Sequence, residues 1–443
     1  MTRLLGLLVA ITCFLVVPTG ASASAAPDHF NPRPGVTFNS PLGDTATRRA
    51  IFHKIIRSID SSARGSEIKI FTWNFLTSDA TTALLKAQNR GVMVRLLMDN
   101  KNNVEIPNQP YRRLVAGLHQ GNRDVARKSR HSWARTCFGS CRGTTGSAHA
   151  KFFMFSHVGK VRRVVMQGSA NLTLASTNNQ WNDIYTHTRN EGVWNFYDQV
   201  FLQAAEDSRK RRPFAAQTFD GFRLMMFPIA AQTQDPVLNL LNKVRCRKAA
   251  NTTSHRTVIR IAPDVIRRQR GMVLARKVRA LWEQGCDIKV GYTVVGVQIG
   301  RMLRSAGGRG PVPMKHLVQD LDGDGEFDNY FHLKSMSIVG NVGGDRSGYV
   351  VLNGSANWSG LARVSDENLG IYWNKELTLR YQDHIDYWYT NFPQSGSSRR
   401  SDLGARRTTG SDLVFGSGKD AVYEDGTPYS EDGVDPYAKL ALD

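Results

Sequence analysis

The chain has 443 residues, of which 41% are hydrophobic and 22% are charged. Length and composition are those of a globular protein with one large core or two ordinary ones, and they exclude a wholly disordered chain. The formal net charge of +20 at pH 7 predicts attraction to polyanions such as nucleic acid, an anionic lipid surface or a cell-wall polymer, weakening with added salt. Solubility alone is the simpler explanation of this charge.

The first 26 residues have the layout of a secretory signal peptide. Arg3 precedes an apolar run from Leu4 to Val17, and small residues from Ala21 to Ala25 offer cleavage sites. A membrane anchor is the alternative, but the run is shorter than the ~20 residues that cross a bilayer. We therefore expect residues 1–26 to be removed and the protein to be secreted.

Four cysteines remain after that cleavage, an even number in an oxidising compartment, so two disulfides are expected. Of the three connectivities, Cys137 with Cys141 and Cys246 with Cys286 is favoured because each bridge stays within one half of the chain. The alternative is a zinc site built from Cys137, Cys141 and His149, which lacks a fourth ligand.

The mature chain begins with alternating helix and strand. Ile51, Ile55 and Ile59 form one apolar stripe, which predicts a helix. A strand in "EIKIFTWNF", a helix in "SDATTALLKAQNRG" that stops at Gly91, and a second strand in "VMVRLLMDN" follow. This order is typical of a strand–helix–strand unit of a parallel sheet.

The same order returns in the second half of the chain. "RTVIRIAP" predicts a strand, "QRGMVLARKVRALWEQG" a helix that ends at Gly285, and "CDIKVGYTVV" the next strand. A repeat this long indicates duplicated domains rather than a solenoid. We place the halves at residues 36–205 and 214–393, with a basic junction between Ala205 and Gly221. The tail, residues 394–443, has few apolar residues and is expected to be disordered.

Each half carries a histidine and a lysine two positions apart at the head of an apolar run. His149 and Lys151 begin "HAKFFMFS", and His332 and Lys334 begin "HLKSMSIVG". Strand alternation directs both side chains of a pair to one side, where their burial requires a compensating anion such as a phosphate. A Gly-Ser-Ala-Asn segment follows each pair and supplies a tight turn, a hydroxyl and an amide: Gly168, Ser169 and Asn171, then Gly354, Ser355 and Asn357.

These paired motifs resemble the phospholipase D superfamily, whose motif is H-x-K, four residues, D, then G-S-x-N. The resemblance covers Val36 to Pro393 and implies an α/β fold of two sandwich halves about a pseudo-two-fold axis, with one shared active site. The motif Asp is replaced by Ser156 and Val339. Because that Asp is structural in the family, the departure concerns local packing and suggests a divergent secreted branch.

The resemblance also implies a phosphohistidine mechanism. By analogy His149 attacks phosphorus and His332 protonates the leaving alcohol, and water or another alcohol then cleaves the intermediate. The positive and amide groups spread the charge of the phosphate oxygens. The implied catalytic residues are His149, Lys151, Asn171, His332, Lys334 and Asn357.

An attacking imidazole needs an acceptor on its second nitrogen, and the family uses an acid after the motif Asn. The second half offers Glu367, whereas Trp181 stands at the corresponding position of the first half, so Asp183 or Asn182 is expected to serve there. Surface charge is the alternative explanation of both acids. The predicted supporting residues are Ser169, Asp183, Ser355 and Glu367.

The segment "DLDGDGEFDNYF" is spaced like a calcium loop at Asp320, Asp322, Asp324 and Asp328, but Phe331 replaces the Glu of position twelve. An incomplete calcium site and a plain acidic turn both remain open. Phosphoryl transfer of this kind needs no metal, so we expect no cofactor to be required for catalysis.

Two aromatic segments allow both functional and structural interpretations. The segment Arg123 to Cys137 interleaves basic residues with Trp133, and it either tracks a phosphate backbone or lipid headgroups or forms a solvated loop. Trp73 and Phe75 end the first strand, where they either line the site or belong to the core.

The leading functional prediction is a secreted phosphodiesterase that hydrolyses phospholipid headgroups and acts as a monomer. A secreted nuclease with the same chemistry fits the charge and the Arg/Trp segment equally well. Lipid is ranked first because it is the more frequent substrate of two-motif chains. A non-catalytic binder of anionic surfaces is the third candidate, but mere binding does not require all six His, Lys and Asn positions.

Overall fold

The protein is represented by a computed structural model that describes residues 29–229, 235–322 and 326–393, together with the backbone of 413–414 and 422–423. The predicted signal peptide, Asp324 and the tail apart from those two short strands lie outside the described residues. Within the described ranges, no helix is both long enough and apolar enough to cross a membrane.

The first half contains a seven-stranded sheet and short flanking elements. Its helices are α1 (Thr45–Arg48), α2 (Ala50–Asp60), α3 (Ser78–Asn89), α4 (Lys101–Val104), α5 (Gln109–Gly121), α6 (Leu174–Asn178) and α7 (Glu191–Ala204). Its strands are β1 (Gly35–Phe38), β2 (Glu67–Phe71), β3 (Phe75–Leu76), β4 (Met93–Asp99), β5 (Trp133–Cys137), β6 (Phe152–Val158), β7 (Val161–Gly168), β8 (Leu172–Thr173), β9 (Gln180–Trp181) and β10 (Asp183–His187). The sheet order is β1-β10-β7-β6-β2-β4-β5, in which β2, β4 and β5 are parallel.

The second half contains a nine-stranded sheet. Its helices are α8 (Pro236–Asn242), α9 (Arg268–Glu283), α10 (Val297–Leu303), α11 (Gly360–Val364) and α12 (Lys375–Asn391). The strands are β11 (Ala215–Phe219), β12 (Phe222–Met226), β13 (Val244–Arg245), β14 (Val258–Ala262), β15 (Val265–Arg267), β16 (Asp287–Tyr292), β17 (Val294–Val295), β18 (Met314–His316), β19 (Val318–Gln319), β20 (Asn329–Phe331), β21 (Ser335–Val342), β22 (Asp345–Gly354), β23 (Trp358–Ser359) and β24 (Asn368–Tyr372), followed by the pair β25 (Leu413–Val414) and β26 (Val422–Tyr423). The main order is β11-β12-β24-β22-β21-β14-β16-β18, with β13 beside β21.

The two sheets share one connectivity. The run β10-β7-β6-β2-β4-β5 of the first sheet matches β24-β22-β21-β14-β16-β18 of the second, strand for strand. The predicted α/β class is confirmed. Because α7 ends at Ala204 and β11 begins at Ala215, the chain passes between the sheets in the predicted junction; the exact domain boundaries stay predictions.

The helices predicted from periodicity and glycine stops are present. Ile51, Ile55 and Ile59 of α2 are all buried. Gly91 and Gly285 lie just beyond α3 and α9 with φ of +89° and +97°. These left-handed conformations end a helix and favour glycine, because a Cβ would be strained there.

Three apolar clusters hold the layers together. One packs α2, α3 and α5 on the outer face of the first sheet, and a second packs α8, α9 and α10 on the outer face of the second. The third lies between the sheets and includes Tyr197 of α7 and Tyr381 of α12. Alternation along β6 sends Phe153 and Phe155 to the outer cluster and Phe152 to the inner one.

The histidine and lysine of each motif lie just before a strand rather than within it. Strand β6 begins at Phe152, directly after Lys151, and β21 begins at Ser335, directly after Lys334. At the positions of the family's motif Asp, the Ser156 hydroxyl accepts a hydrogen bond from the backbone N–H of Glu67 (2.9 Å), and Val339 is buried. Both replacements are therefore accommodated by local packing.

Both favoured disulfides, Cys137–Cys141 and Cys246–Cys286, are present. The alternative zinc site is wrong, because sulfurs joined in a disulfide are not available as thiolate ligands. His149, the third ligand of that alternative, contacts Glu367 through its ring nitrogen Nδ1.

A wholly buried ion pair ties the short disulfide loop to the second half. Arg142 Nε lies 3.1 Å from Asp366 Oδ1, and both side chains are inaccessible to solvent. Asp366 Oδ2 also accepts hydrogen bonds from Ser140 Oγ (2.8 Å) and the Cys141 N–H (2.6 Å). The residue after Asp366 is Glu367, so this pair fixes the backbone from which the predicted acid projects.

We expect the substitution Asp366→Ala to destabilise the protein by about 3–5 kcal/mol, because it leaves the buried Arg142 guanidinium without its counter-charge. The free energy of unfolding in urea measures the loss. The control Glu206→Ala breaks an exposed pair with Lys210 and should cost less than about 1 kcal/mol. Equal losses from the two substitutions would contradict this account of the buried pair.

Candidate active site

The imidazole of the first half is held by the acid of the second half. His149 Nδ1 lies 2.8 Å and 2.9 Å from the two carboxylate oxygens of Glu367. The backbone supports this pairing, because the His149 N–H donates to the Asp366 carbonyl (3.1 Å). Sequence reasoning identified Glu367, but not that its partner is the histidine of the opposite half.

The imidazole of the second half has a neutral partner from the first half. His332 Nδ1 lies 2.7 Å from Asn182 Oδ1, and the His332 N–H donates to the Trp181 carbonyl (3.0 Å). The Asn182 amide nitrogen donates to Ser176 O and Gln180 Oε1, both at 3.2 Å. The amide oxygen therefore faces the ring, and His332 carries its proton on Nδ1 and a lone pair on Nε2 when it is neutral.

Of the two acceptors considered for the first half, Asn182 rather than Asp183 takes the role. Asp183 Oδ2 instead accepts hydrogen bonds from Asn353 Nδ2 (2.6 Å) and from the Tyr381 hydroxyl. Asn182 directly precedes β10 and Asp183 is the first residue of that strand. The two adjacent side chains point in different directions, so only one of them can face the imidazole. The Asp183 carboxylate thus contacts residues of the second half rather than His332.

The motif serines hold the imidazole partners in place. Ser169 Oγ donates to Asn182 Oδ1 (2.9 Å), and Ser355 Oγ donates to the Glu367 carboxylate. Each hydroxyl also accepts the next backbone N–H along the strand, from Asp183 (3.1 Å) and from Asn368 (3.0 Å) respectively. The predicted supporting role of both serines is therefore to orient the acceptors, not to touch phosphate.

The glycine of each motif permits a close backbone approach. A Cβ at Gly168 would lie 2.2 Å from the Asp183 carbonyl oxygen, and one at Gly354 would lie 2.1 Å from that of Asn368. Any larger residue would push away the neighbouring strand, β10 in the first half and β24 in the second. This is the physical reason for glycine at the head of each Gly-Ser-Ala-Asn segment.

Both lysines are fully buried beside their histidines. Lys151 Nζ donates to the His149 carbonyl (2.5 Å), and Lys334 Nζ donates to the His332 carbonyl (2.8 Å). Lys151 Nζ also lies 5.9 Å from the centre of the Trp73 ring, which is itself 5.8 Å from the His149 ring. Trp73 therefore lines the site, whereas Phe75 belongs to the core.

The two motif asparagines differ in their surroundings. Asn171 Oδ1 accepts a hydrogen bond from Thr72 Oγ1 (3.4 Å). The Asn357 amide nitrogen donates to Pro263 O (3.2 Å) and to Asp264 Oδ2 (3.1 Å) in the amide orientation that satisfies both of its atoms.

Asp264 is a residue of the site that sequence reasoning missed. Its Oδ2 lies 2.9 Å from Lys334 Nζ and 4.0 Å from His332 Nε2. It follows β14 two residues after its end, as Trp73 follows β2. The signal in the sequence was its place after a parallel strand in the repeated unit, because ligands of such sheets bind at the carboxyl ends of the strands.

Burial sets the protonation of the site. It lowers the pKa of His149 and His332, and the Lys151 and Lys334 ammonium groups lower both further. Burial raises the pKa of Glu367 to about 8, against the lowering effect of Lys151. An ionised Glu367 opposes the lowering at His149 through its contact with Nδ1. Neutral imidazoles with free Nε2 lone pairs are therefore the resting state at neutral pH.

Charges from both halves act on one another across the site. Lys334, Lys151 and His149 all lower the pKa of His332. Burial lowers the pKa of Lys151 well below its usual value; Glu367 and Asp264 raise it, and Lys334 lowers it further. Two imidazoles, two ammonium groups and two amides are thus brought together with two carboxylates, an arrangement that can bind a phosphodiester and attack its phosphorus.

Part of the segment Arg123 to Cys137 has regular secondary structure. Its end forms β5, where Trp133 stacks on Phe201 with ring centres 5.8 Å apart, and the Arg135 guanidinium lies 4.5 Å from the centre of the Trp133 ring. Trp133 is partly covered by the core, so it is not a free stacking platform.

The predicted calcium loop is only partly described. The carboxylates of Asp320, Asp322 and Asp328 have ligand atoms within 4.8 Å of one another, and Asp324 lies outside the described residues. Phe331, at position twelve, is buried against Trp181. A calcium site here stays a prediction.

Comparison with known proteins shows which family and which solved structures this chain resembles. The family model described as "Cardiolipin synthase, PLD-like domain" matches residues 55–204. No curated protein matches the sequence. Polyphosphate kinase from Porphyromonas gingivalis has a similar fold, with a TM-score of 0.52 and 11% identity over 80% of this chain and 50% of the kinase. This chain therefore spans half the length of that enzyme.

Phosphatidylserine synthase from Haemophilus influenzae Rd KW20 is similar over 80% of this chain and 86% of its own, with a TM-score of 0.51 and 12% identity. At these identities the two structures support the fold alone. The family match and the fold of both halves agree with the paired motifs. Residues 55–204 therefore form a phospholipase D-like domain. Members of the phospholipase D superfamily act on phosphodiester bonds and need no metal ion for catalysis.

Proposed function

We propose that the protein is a secreted phosphodiesterase that hydrolyses phospholipid headgroups through a phosphohistidine on His149. The observation that carries the proposal is the contact of His149 Nδ1 with Glu367 at 2.8 Å, opposite a His332 whose Nδ1 meets a neutral amide. The two imidazoles are equipped differently, as a nucleophile and a general acid need to be.

The first step transfers the phosphoryl group to the enzyme. The Nε2 lone pair of His149 attacks phosphorus, and the bond from phosphorus to the headgroup oxygen breaks. His332, protonated when the anionic substrate is bound, gives its Nε2 proton to that oxygen, so the headgroup leaves as a neutral alcohol. His332 returns to the neutral form with its remaining proton on Nδ1.

The partner of each ring decides which histidine attacks. Bonding to phosphorus leaves a positive charge on the attacking imidazole, and a carboxylate at Nδ1 stabilises that charge more than an amide does. Glu367 lies at Nδ1 of His149, whereas Asn182 lies at Nδ1 of His332. His149 is therefore the better nucleophile.

The second step releases the phosphate product. Neutral His332 takes a proton from water at Nε2, the resulting hydroxide oxygen bonds to phosphorus, and the P–N bond to His149 breaks. An alcohol in place of water gives transphosphatidylation by the same route. Lys151 and Lys334, with the motif asparagines, stabilise the charge on the non-bridging oxygens in both steps.

Exposed apolar side chains around the site favour a lipid substrate. His149 and His332 lie at the carboxyl ends of β2 and β14, since Phe152 pairs with Phe71 and Ser335 pairs with Ala262. We call this the active-site edge. Five of the ten exposed large apolar residues in the described part of the chain follow strands or motifs that end there: Leu42, Val104, Phe138, Leu174 and Leu361.

Exposed apolar groups gathered at one edge suit contact with acyl chains, whereas single exposed groups need no explanation. The net charge of +20 suits an anionic lipid surface as its partner. The same charge suits a nucleic-acid strand, which keeps a secreted nuclease as the second candidate. A purely binding role is the third candidate, and it gives no reason for the Glu367 contact with an imidazole.

We expect the protein to release headgroups from phosphatidylcholine vesicles in the presence of a chelator and to leave plasmid DNA intact. The double substitution Phe138→Ser with Leu361→Ser should lower vesicle hydrolysis about tenfold or more, by loss of roughly 1.5–3 kcal/mol of apolar burial per side chain. Hydrolysis of dissolved short-chain phosphatidylcholine should change little. Headgroup release and plasmid nicking are measured side by side.

The matched control is Trp373→Ser. Trp373 is 46% exposed, close to the 48% of Leu361, but it follows β24, which runs opposite to β14 and ends at the other edge. It should leave vesicle hydrolysis unchanged. Plasmid nicking with intact lipid would make the nuclease the better proposal, and equal effects of both variants would remove the apolar edge from substrate binding.

Glu367 gives the reaction a dependence on pH. Its pKa is raised to about 8, so its carboxylate is present above that pH and is lost as the pH falls through it. We expect kcat/KM to fall on that acid side, because a protonated Glu367 no longer stabilises the charge on His149. Glu367→Gln should lower kcat about a hundredfold and abolish this limb.

The pH profiles of kcat/KM for wild type, Glu367→Gln and the exposed-acid control Glu376→Gln measure this effect. The control should retain the acid limb of the wild-type pH profile. An unchanged acid limb in Glu367→Gln would show that another group controls the pH dependence.

A further inference from the structure

We propose that Asp264 is the proton partner of His332, supplying from the second half the carboxylate that the first half lacks at Asn182. The inference rests on the proposed function, because it concerns the acid–base histidine of that reaction. It assigns a role to a residue that lies outside both motifs.

The first half cannot easily hold an acid behind His332. The Asn182 amide nitrogen donates to the Ser176 carbonyl and to Gln180 Oε1. A carboxylate at this position would direct an oxygen at two acceptors, in a buried setting where such repulsion is costly. The surroundings of residue 182 are therefore built for an amide, and a carboxylate for His332 has to come from elsewhere.

Asp264 is placed on the other side of the same imidazole. Its Oδ2 is 4.0 Å from His332 Nε2 and accepts hydrogen bonds from Lys334 Nζ (2.9 Å) and the Asn357 amide (3.1 Å). One water molecule, or a small side-chain movement, connects atoms at this distance. The carboxyl group is buried, so it acts at short range with little screening.

The backbone holds Asp264 in an unfavourable conformation. Its φ is +58°, in the left-handed region that L-residues with a side chain seldom adopt. Its carbonyl oxygen accepts the N–H groups of Thr293 (2.9 Å) and Val294 (3.0 Å), which maintain this turn. The corresponding residue of the first half is Trp73, so only the second half carries a carboxylate here.

One oxygen of Asp264 remains available to a ligand. Oδ1 is buried and has no hydrogen-bond partner within the described ranges. The nearby Thr293 hydroxyl donates instead to the Phe331 carbonyl (2.6 Å). A buried carboxyl oxygen without a partner is costly, and Oδ1 is the position at which Asp264 carries its proton until a water molecule that enters with the substrate accepts it.

Burial and the neighbouring charges shift the pKa of Asp264 in opposite directions. Burial raises the pKa of its carboxyl group, and Lys334 and Lys151 lower it. Burial raises the pKa of the Tyr330 hydroxyl, and the Asp264 carboxylate raises it further. His332, whose pKa is lowered by burial and by both lysines, is the other titrating group that faces it. Asp264 can therefore exchange a proton with His332.

The proton balance of the reaction then closes within the site. Asp264, protonated on Oδ1 in the free enzyme, gives its proton through one water molecule to His332 Nε2, forming an imidazolium beside a carboxylate. His332 passes that proton to the headgroup oxygen as the P–O bond breaks. In the second step His332 Nε2 accepts the proton of the attacking water and returns it to Asp264, so the enzyme regains its starting state.

The test compares leaving groups that need and do not need a proton. In bis(4-nitrophenyl) phosphate the leaving 4-nitrophenolate is stable as an anion, whereas the choline of dissolved short-chain phosphatidylcholine must be protonated. For Asp264→Asn we expect choline release to fall about a hundredfold or more. The pre-steady-state burst of 4-nitrophenolate should remain within about threefold of wild type, followed by slow turnover.

The pH profile supplies a second readout that a purely structural role would not move. Removing a negative charge near His332 lowers the pKa of that ring, so the basic limb of kcat should shift to lower pH in Asp264→Asn. Asp264→Glu should restore part of choline release. The control Asp235→Asn removes a different buried carboxylate, one paired with Arg270, and should lower stability without separating the two substrates.

Equal losses on both substrates, or none on either, would overturn the inference. Faster turnover with a lower KM would also overturn it, since Asp264 would then only compete with the substrate phosphate for Lys334. A wild-type protein that cleaves neither ester would contradict the proposed function itself, and the inference with it.

Discussion

Each imidazole of the site is held by a residue from the opposite half of the chain, and the rest of the functional geometry depends on this exchange. Glu367 holds His149, and Asn182 holds His332. The backbone repeats the exchange, through the Asp366 and Trp181 carbonyls. Because a ring cannot be oriented without the other half, the two sheets form one site only when they are packed together. The buried Arg142–Asp366 pair fixes that packing beside Glu367.

The exchange also makes the two halves chemically unequal. Equivalent serines orient a carboxylate on one side and an amide on the other. Trp73 and Asp264 occupy equivalent places after β2 and β14. The first half therefore places an indole ring in the site, and the second half places a carboxyl group there. A repeated backbone thus gives one imidazole an ionisable partner at Nδ1 and the other a neutral one, which is the difference that the proposed roles of nucleophile and general acid require. The proposed division of roles between the histidines depends on these four positions, not on a difference in fold.

Much of this arrangement could be predicted from the sequence, because its signals are local. Three kinds of pattern each predict the structure of their own segment: the isoleucine stripe of α2, the glycines after α3 and α9, and the two motifs. The choice between Asn182 and Asp183 could not be made from the sequence. It depends on which of these two adjacent side chains faces His332, a residue far away along the chain. Asp264 was not predicted for the same reason. It lies outside both motifs, and its contacts with Lys334 and Asn357 come from tertiary packing.

The central claim is that both imidazoles act on one phosphorus atom, in the order His149 and then His332. Intact-mass analysis and peptide mapping after mixing with bis(4-nitrophenyl) phosphate tests it most directly, using His332→Ala and His149→Ala. The account predicts a stable phosphoryl adduct on His149 in the first variant, because the phenolate leaves unaided but water is no longer activated. It predicts no adduct in the second. An adduct on His332, or none in either variant, would contradict it.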